Sequence, residues 1–347
     1  MYIKKLVALI AVIGLIAAAG FAYYVYTAIF DPNTNFETET VAITIPSDAT
    51  YKEVFAMVKP LVKNAESFDR IARKKGYAER VKPGRYILEK GSSNNTLVDN
   101  LRSKNTPIYV TFNNQERLEN LAGRVAHQIE ADSISLLKTF KDHAFLKSEG
   151  FNQATALGMY IPNKYQFFWN TSAVQFRERM LKEYHRFWNT TRTQKAEVLG
   201  LSLHEVTTIA SIVQKETVKV DERPRVAGVY MNRYNNKWKL DADPTVIYAV
   251  KHHRNDWKTP IKRVLFKDLK LESPYNTYRN KKLPPGLISM PDVSAIDAVL
   301  NYEKHQYYFF VADPSNYGYH RFSKTLSEHN RSRNKYVKWI NKKGIKR

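Results

Sequence analysis

One acid on the border of a helix is the residue whose type and place most suggest chemistry. Ser202 to Thr217, SLHEVTTIASIVQKET, reads as a single helix. Ser202 and Glu205 make the S-x-x-E capping box that satisfies free amides at a helix start. Val206, Ile209, Ala210 and Val213 then recur at i, i+3, i+4 and i+7, an apolar stripe that must face a core. At about 100° per residue, Glu216 falls beside Ile209, Ile212 and Val213 at the edge of that stripe. A carboxyl group there is partly desolvated, which disfavours its charged form and raises its pKa. An acid kept neutral near pH 7 is what proton donation to a leaving oxygen requires. The plainer alternative is a last-turn glutamate pointing into water.

Other chemistry finds less support. Asp243 is the candidate for a second acid, but it precedes Pro244. Asp as N-cap with Pro at the first helical position is a structural explanation, and both readings stay open. His204-Glu205 lacks the second His of a zinc-protease helix, and the adjacent His252 and His253 would not face one ligand. No glycine-rich phosphate loop is present, so neither a metal nor a cofactor is expected.

The elements that must position Glu216 sit in a chain of 347 residues, long enough for two domains. With 43% hydrophobic residues it can build a proper core and is not a disordered chain. The absence of cysteine excludes disulfides, thiolate metal sites and cysteine nucleophiles. A net charge of +22 calls for an anionic partner, whether polymer, membrane surface or nucleic acid. Eight of the 55 basic residues fall between Arg331 and Arg347, and the rest are spread along the chain.

Leu6 to Phe30 is a run of 25 residues without a charge. A bilayer core takes about 20 apolar residues in a helix, so this run can span it with some tilt. Lys4 and Lys5 precede it, while Asp31, Glu37, Glu39 and Asp48 follow before the first Lys at position 52. The positive-inside bias puts the N-terminus in the cytoplasm and the rest of the chain outside. A cleaved signal peptide ending near Ala17 to Ala19 is the rival, but the apolar run continues well past it.

Residues 31–40 read as a polar linker. Val41 to Ile45 alternates as a strand, Thr50 to Lys63 and Ser67 to Lys75 read as helices, Tyr86 to Leu88 as a strand, and Asn95 to Arg102 as a short helix. Such small βα units resemble the LysM modules that grip glycans; a membrane-proximal spacer is the other reading. Glu116 to Trp188 is mostly helical, broken near Tyr160 and Tyr165, where Phe167 and Phe168 add further aromatic density. Phe167 and Phe168 read as core, while Tyr160 and Tyr165 read either as core or as faces for sugar stacking.

After the Glu216 helix come Arg225-Val-Ala-Gly-Val-Tyr-Met-Asn-Arg233, Leu240-Asp-Ala-Asp-Pro-Thr-Val-Ile-Tyr248, Tyr275-Asn-Thr-Tyr278, Leu283-Pro-Pro-Gly-Leu-Ile288 and His320-Arg-Phe-Ser-Lys-Thr-Leu-Ser-Glu-His-Asn330. In this order, behind one N-terminal membrane helix, these blocks closely resemble the MltG (YceG-like) endolytic murein transglycosylases. The likeness covers nearly the whole chain and is densest over residues 200–330. It departs from the family pattern at Leu157 to Tyr165, where the block's usual acids are missing, and at Pro46-Ser-Asp, Asn113-Asn-Gln and Met290-Pro-Asp292.

The resemblance implies an α+β chain with an N-terminal transmembrane helix, a small LysM-like βα module and a larger mixed α+β catalytic domain. Residues 1–5 would be a cytoplasmic tip, 6–30 the transmembrane helix, 31–40 the linker, 41–110 the LysM-like module and 111–347 the YceG-like catalytic domain. It implies a lyase that cuts the MurNAc-GlcNAc β-1,4 bond inside nascent glycan strands, leaves 1,6-anhydroMurNAc ends and terminates elongation. The family's S-I-V-x-K-E-T block is here Ser211 to Thr217, so its catalytic glutamate lands on Glu216. Asn276, Thr277 and Tyr278 offer groups suited to N-acetyl and hydroxyl recognition, or act as turn formers. Asn232, Arg233, Asp243, Tyr248 and Tyr165 are further candidates for contacting sugar or orienting the acid, with buried structural roles as the alternative. The partners implied are peptidoglycan glycan strands, the plasma (inner) membrane and cell-wall synthases, not nucleic acid; the bulk of the chain would be extracytoplasmic or periplasmic. The rival readings are a hydrolase that uses water, with Asp243 or Glu222 as second acid, and a non-catalytic glycan-binding scaffold.

Overall fold

The apolar pattern builds two separate cores. The computed structural model describes residues 2–342 and divides into two compact units. One holds the chain up to Val110 together with Gln128–Ala131 and Tyr165–Ser172. The other holds Thr111–His127, Asp132–Lys164 and the chain from Ala173 onward. Of the basic run after Arg331, the positions beyond Lys342 lie outside the described residues.

In the first unit, Tyr2–Phe30 forms one helix of 29 residues, about 43 Å at 1.5 Å per residue. It is long and apolar enough to cross a membrane, and it buries none of its residues. Its C-terminal end is fastened to the domain that follows. The Arg70 guanidinium donates to Tyr24 Oη at 3.0 Å, and Asn94 Nδ2 donates to the Ala28 carbonyl at 2.8 Å.

Strand Thr40–Ile45 pairs antiparallel with Gly84–Glu89, setting Val41 opposite Leu88 and Ile43 opposite Tyr86. Helices Tyr51–Val58, Ala65–Lys74 and Asn94–Ser103 enclose a core of Ile45, Val54, Val58, Phe68, Leu88 and Leu101. Thr50, Asn64 and Ser93 cap the three helices through their side-chain oxygens. The helix expected over 50–63 stops at Val58 and tightens into the 3₁₀ turn Lys59–Leu61, because Pro60 has no amide hydrogen to donate.

The second unit is built mainly of helices around Leu203–Glu216. Both reciprocal bonds of the Ser202–Glu205 capping box form, and Val206, Ile209, Ala210 and Val213 are fully buried. Burial of each large aliphatic chain is worth roughly 1.5–3 kcal/mol relative to exposure. Helices Val293–Leu300, Arg223–Asn235 and Asp243–Arg254 pack around it. An antiparallel hairpin, Phe309–Ala312 with His320–Ser323, lies against helix Leu326–Lys342. Thr325 and Glu328 exchange the bonds of a second capping box at that helix start. Of the aromatic cluster, Tyr160 and Phe167 are buried, but Phe168 is half exposed and not core as its neighbours suggested. It alternates with Phe167 at the end of strand Asn163–Phe167, so the two face opposite ways.

Helix Arg223–Asn235 approaches residues 303–305 through Gly228. A Cβ there would collide with the Glu303 carbonyl and the His305 imidazole. Gly228→Ala is expected to destabilise the protein by about 1–3 kcal/mol in denaturant unfolding, since overpacking forces the backbone to shift. An unchanged midpoint would contradict this close approach.

Candidate active site

Glu216 is the last residue of its helix; Thr217 turns extended at φ −137°, ψ 135°. Its side chain reaches the wall of a cavity of about 380 Å³ within the second unit. The buried Tyr230, on helix Arg223–Asn235, donates its hydroxyl to Glu216 Oε1 at 2.8 Å. Burial and the neighbouring carboxyl push the Tyr230 hydroxyl pKa far up, so it stays a donor at neutral pH. Arg233, one turn further on, Asp243 and Tyr278 line the same cavity with Asp241, while Phe309, Phe310, Leu326 and His329 supply apolar and aromatic surface.

The Glu216 carboxyl is pushed up to about 7. Burial is the largest cause. The Tyr230 hydrogen bond, which favours the charged form, opposes it; the negative charge of Asp243 adds to it; His320 and Arg233 pull the other way. The helix C-terminus, with its partial negative charge, acts in the same direction as burial. Glu216 is therefore about half protonated near neutrality and can both give and take a proton there.

Asp243 does not cap its helix. The helix covers Asp243–Arg254 with Ala242 at the N-cap, and Asp243 makes no capping bond. Its carboxylate instead accepts the Tyr278 hydroxyl at 2.7 Å. Arg233 is locked by the carbonyls of Tyr308 (2.8 Å) and Leu240 (2.6 Å), with Asp241 at 3.7 Å. Asp241 sits at φ +45°, a left-handed conformation that costs a non-glycine residue about 1 kcal/mol and aims its carboxyl at the cavity rim.

The remaining candidates lie elsewhere. Asn232 donates its amide to the carbonyls of His305 and Tyr307. Asn276 does the same to Leu269 and Leu271, and Thr277 bonds Thr245 and the Ala242 amide. These three polar side chains are committed to holding the chain and do not line the Glu216 cavity. Tyr248 faces a different cavity, beside Tyr275 and Trp257. Tyr165 is buried on strand Asn163–Phe167 and belongs to the first unit. Glu222 is buried and spends both oxygens on His320, accepting from its amide (2.7 Å) and Nδ1 (2.8 Å). Burial alone would raise its pKa, but the His320 bonds outweigh that and hold it below the usual carboxylate range.

Sequence reasoning did not single out Tyr230, Asp241, Phe310 or His329. Tyr230, Asp241 and His329 stand inside the quoted blocks, and Tyr230 sits three residues before Arg233, on one helix face with it. That spacing was the available signal.

With this geometry in view, the model of the YceG-like family matches residues 43–335. The chain belongs to the YceG-like family. It is similar to the endolytic murein transglycosylase of Bacillus subtilis, 28% identical over 345 residues that cover 93% of this chain and 92% of the relative. A pneumococcal endolytic murein transglycosylase is 26% identical over 335 residues, covering 87% of this chain and 59% of that longer protein. Among solved structures, a yceG-like protein of Listeria monocytogenes matches with TM-score 0.57 at 27% identity, over 85% of this chain and 99% of that one.

The Glu216 environment has a stability signature. Its folded pKa lies above the ordinary 4.5, so the protonated form's contribution is complete below about 4.5 and is lost as pH rises through 7. Glu216→Gln keeps an acceptor for Tyr230 but cannot ionise. The variant should match wild type near pH 4 and exceed it above pH 7 by roughly 2–3 kcal/mol, measured by denaturant unfolding across pH. A pH-independent difference would contradict the assigned environment.

Proposed function

We propose that this YceG-like chain is a membrane-anchored endolytic peptidoglycan transglycosylase with Glu216 as its acid and base. The observation that carries the reading is a single carboxyl pushed up to about 7 by burial, in a cavity, 2.8 Å from a tyrosine donor. The names carried by its relatives supply the substrate class.

In this reading protonated Glu216 donates to the bridging oxygen as the bond from C1 of MurNAc breaks. The muramyl 6-hydroxyl closes on C1 and returns its proton to Glu216. The products are a free 4-hydroxyl on GlcNAc and a 1,6-anhydroMurNAc end, and no water is consumed. One carboxyl suffices because the nucleophile is tethered, so effective molarity replaces a bound water. Tyr230 holds the carboxyl in one orientation through both protonation states, and its hydroxyl stabilises the anion that forms after donation. Asp243, fixed by Tyr278, offers negative charge toward the developing oxocarbenium ion. Arg233 and Tyr278 would contact the sugar, and cutting nascent strands would end their elongation.

Helix Tyr2–Phe30 would anchor the enzyme in the plasma (inner) membrane with its N-terminus in the cytoplasm and the catalytic unit outside, within reach of the synthases. The βα module would act as a LysM-like glycan grip beside the membrane. The basic surface suits a polymer that carries muramyl and peptide carboxylates.

Asp243 in the same cavity favours a hydrolase as second reading, since two carboxylates can activate water. Mass spectrometry of murein digested by wild type and Glu216→Gln decides between them. The expected products are anhydro ends from wild type, with at least about a 100-fold loss in the variant. Reducing ends would establish the hydrolase, and undiminished cutting by the variant would remove Glu216 from the mechanism.

A further inference from the structure

Helix Asp243–Arg254 leads away from the Glu216 cavity along two more. Asp243 borders the first; Pro244 and Ile247 border a second of about 260 Å³; Tyr248 and Glu116 border both that one and a third of about 480 Å³, which His252 and Asn255 also line. From Asp243 to Asn255 the helix axis advances about 18 Å.

Charge and shape change along this row. The middle cavity sets the apolar walls of Pro244, Ile247, Ile261 and Ile288 beside Lys215, Lys251 and Glu116. The far cavity carries Trp257, with the Arg117 guanidinium over its ring at 4.6 Å. The buried Nε of Arg117 has no hydrogen-bond partner, and its nearest carboxylate oxygen, on Glu119, is 3.7 Å away. Glu116 is already held by Lys215 (2.8 Å) and Lys251 (3.0 Å), and Glu119 by Lys141 (2.6 Å). Among the described residues lining these two cavities, four Lys and Arg side chains face two carboxylates. With Lys215, Lys251 and Lys141 engaged by those two acids, Arg117 keeps a donor for a further carboxylate.

We propose that the two outer cavities bind the peptide stem of the muramyl residue held at Glu216, with a stem carboxylate on Arg117. This deepens, and rests on, the peptidoglycan reading of the Glu216 cavity. A stem of about five residues reaches roughly 17 Å when extended, which matches the row of cavities. Its small apolar side chains meet the isoleucine wall of the middle cavity, and a stem carboxylate reaches Arg117 in the far one. Peptide-bearing strands are thereby preferred over bare glycan.

The test uses the full-length protein in detergent with two substrates, uncrosslinked strands bearing stems and the same strands stripped by an amidase. A synthetic N-acetylated pentapeptide, L-Ala-γ-D-Glu-L-Lys-D-Ala-D-Ala, is titrated calorimetrically as a separate probe. Wild type should bind the peptide and cut stem-bearing strands at least tenfold more efficiently in kcat/KM. Arg117→Gln and Trp257→Ala should each weaken peptide binding at least tenfold and narrow the preference between strands. Equal cutting of both strands by wild type, together with no peptide binding, overturns the proposal; this comparison needs no variant to fold. Peptide binding by a protein that cuts neither strand keeps the stem site and overturns the lyase reading instead.

Discussion

The desolvation of one carboxyl group governs the rest of this structure. Taking an acid out of water is unfavourable for its charged form, and the protein offsets that with one hydrogen bond rather than a paired cation. Tyr230 is the chosen partner: a hydroxyl stabilises the anion less than Arg or Lys would, leaving the acid balanced near neutrality. Arg233 stands close enough to matter, but its guanidinium is anchored on the Tyr308 and Leu240 carbonyls and paired with Asp241. The cation is thereby kept from forming the salt bridge that would lock Glu216 in its ionised state.

Such a balance needs rigid surroundings. The capping box at Ser202 fixes where the helix begins, and the fully buried stripe from Val206 to Val213 fixes its rotation. Together they determine where the last residue points. Helix Arg223–Asn235 must then lie close, which Gly228 permits, so that Tyr230 arrives within hydrogen-bond distance. The site is strained and charged where it faces the cavity, at Asp241, and apolar behind it. Stability is concentrated away from the chemistry.

Much of this was legible in the chain. The 3.6-residue period from Val206 to Val213 gave both the helix and the border position of Glu216, because helical geometry converts spacing directly into facing. The strands and helices of the first unit followed from alternation and capping residues, to within a residue or two except where Pro60 cut a helix short. What could not be read was which segments distant in sequence meet. Asn232, Asn276 and Thr277 are polar residues in suggestive blocks, but they bond backbone that only tertiary structure brings near. Asp243 looked like a cap because Asp-Pro often is one, and the decisive Tyr278 contact spans 35 residues. Tyr230 is an unremarkable helix residue until Glu216 is placed beside it.

The central claim is that one carboxyl, half-buried at the cavity wall and bonded to a hydroxyl rather than paired with a cation, stays half protonated at neutral pH. It is tested most directly by difference infrared titration of wild type against Glu216→Gln, following the protonated carboxyl band. The account predicts a single band that vanishes with a midpoint near pH 7 and is missing from the variant. A midpoint near 4.5, the value of an ordinary exposed glutamate, would contradict it.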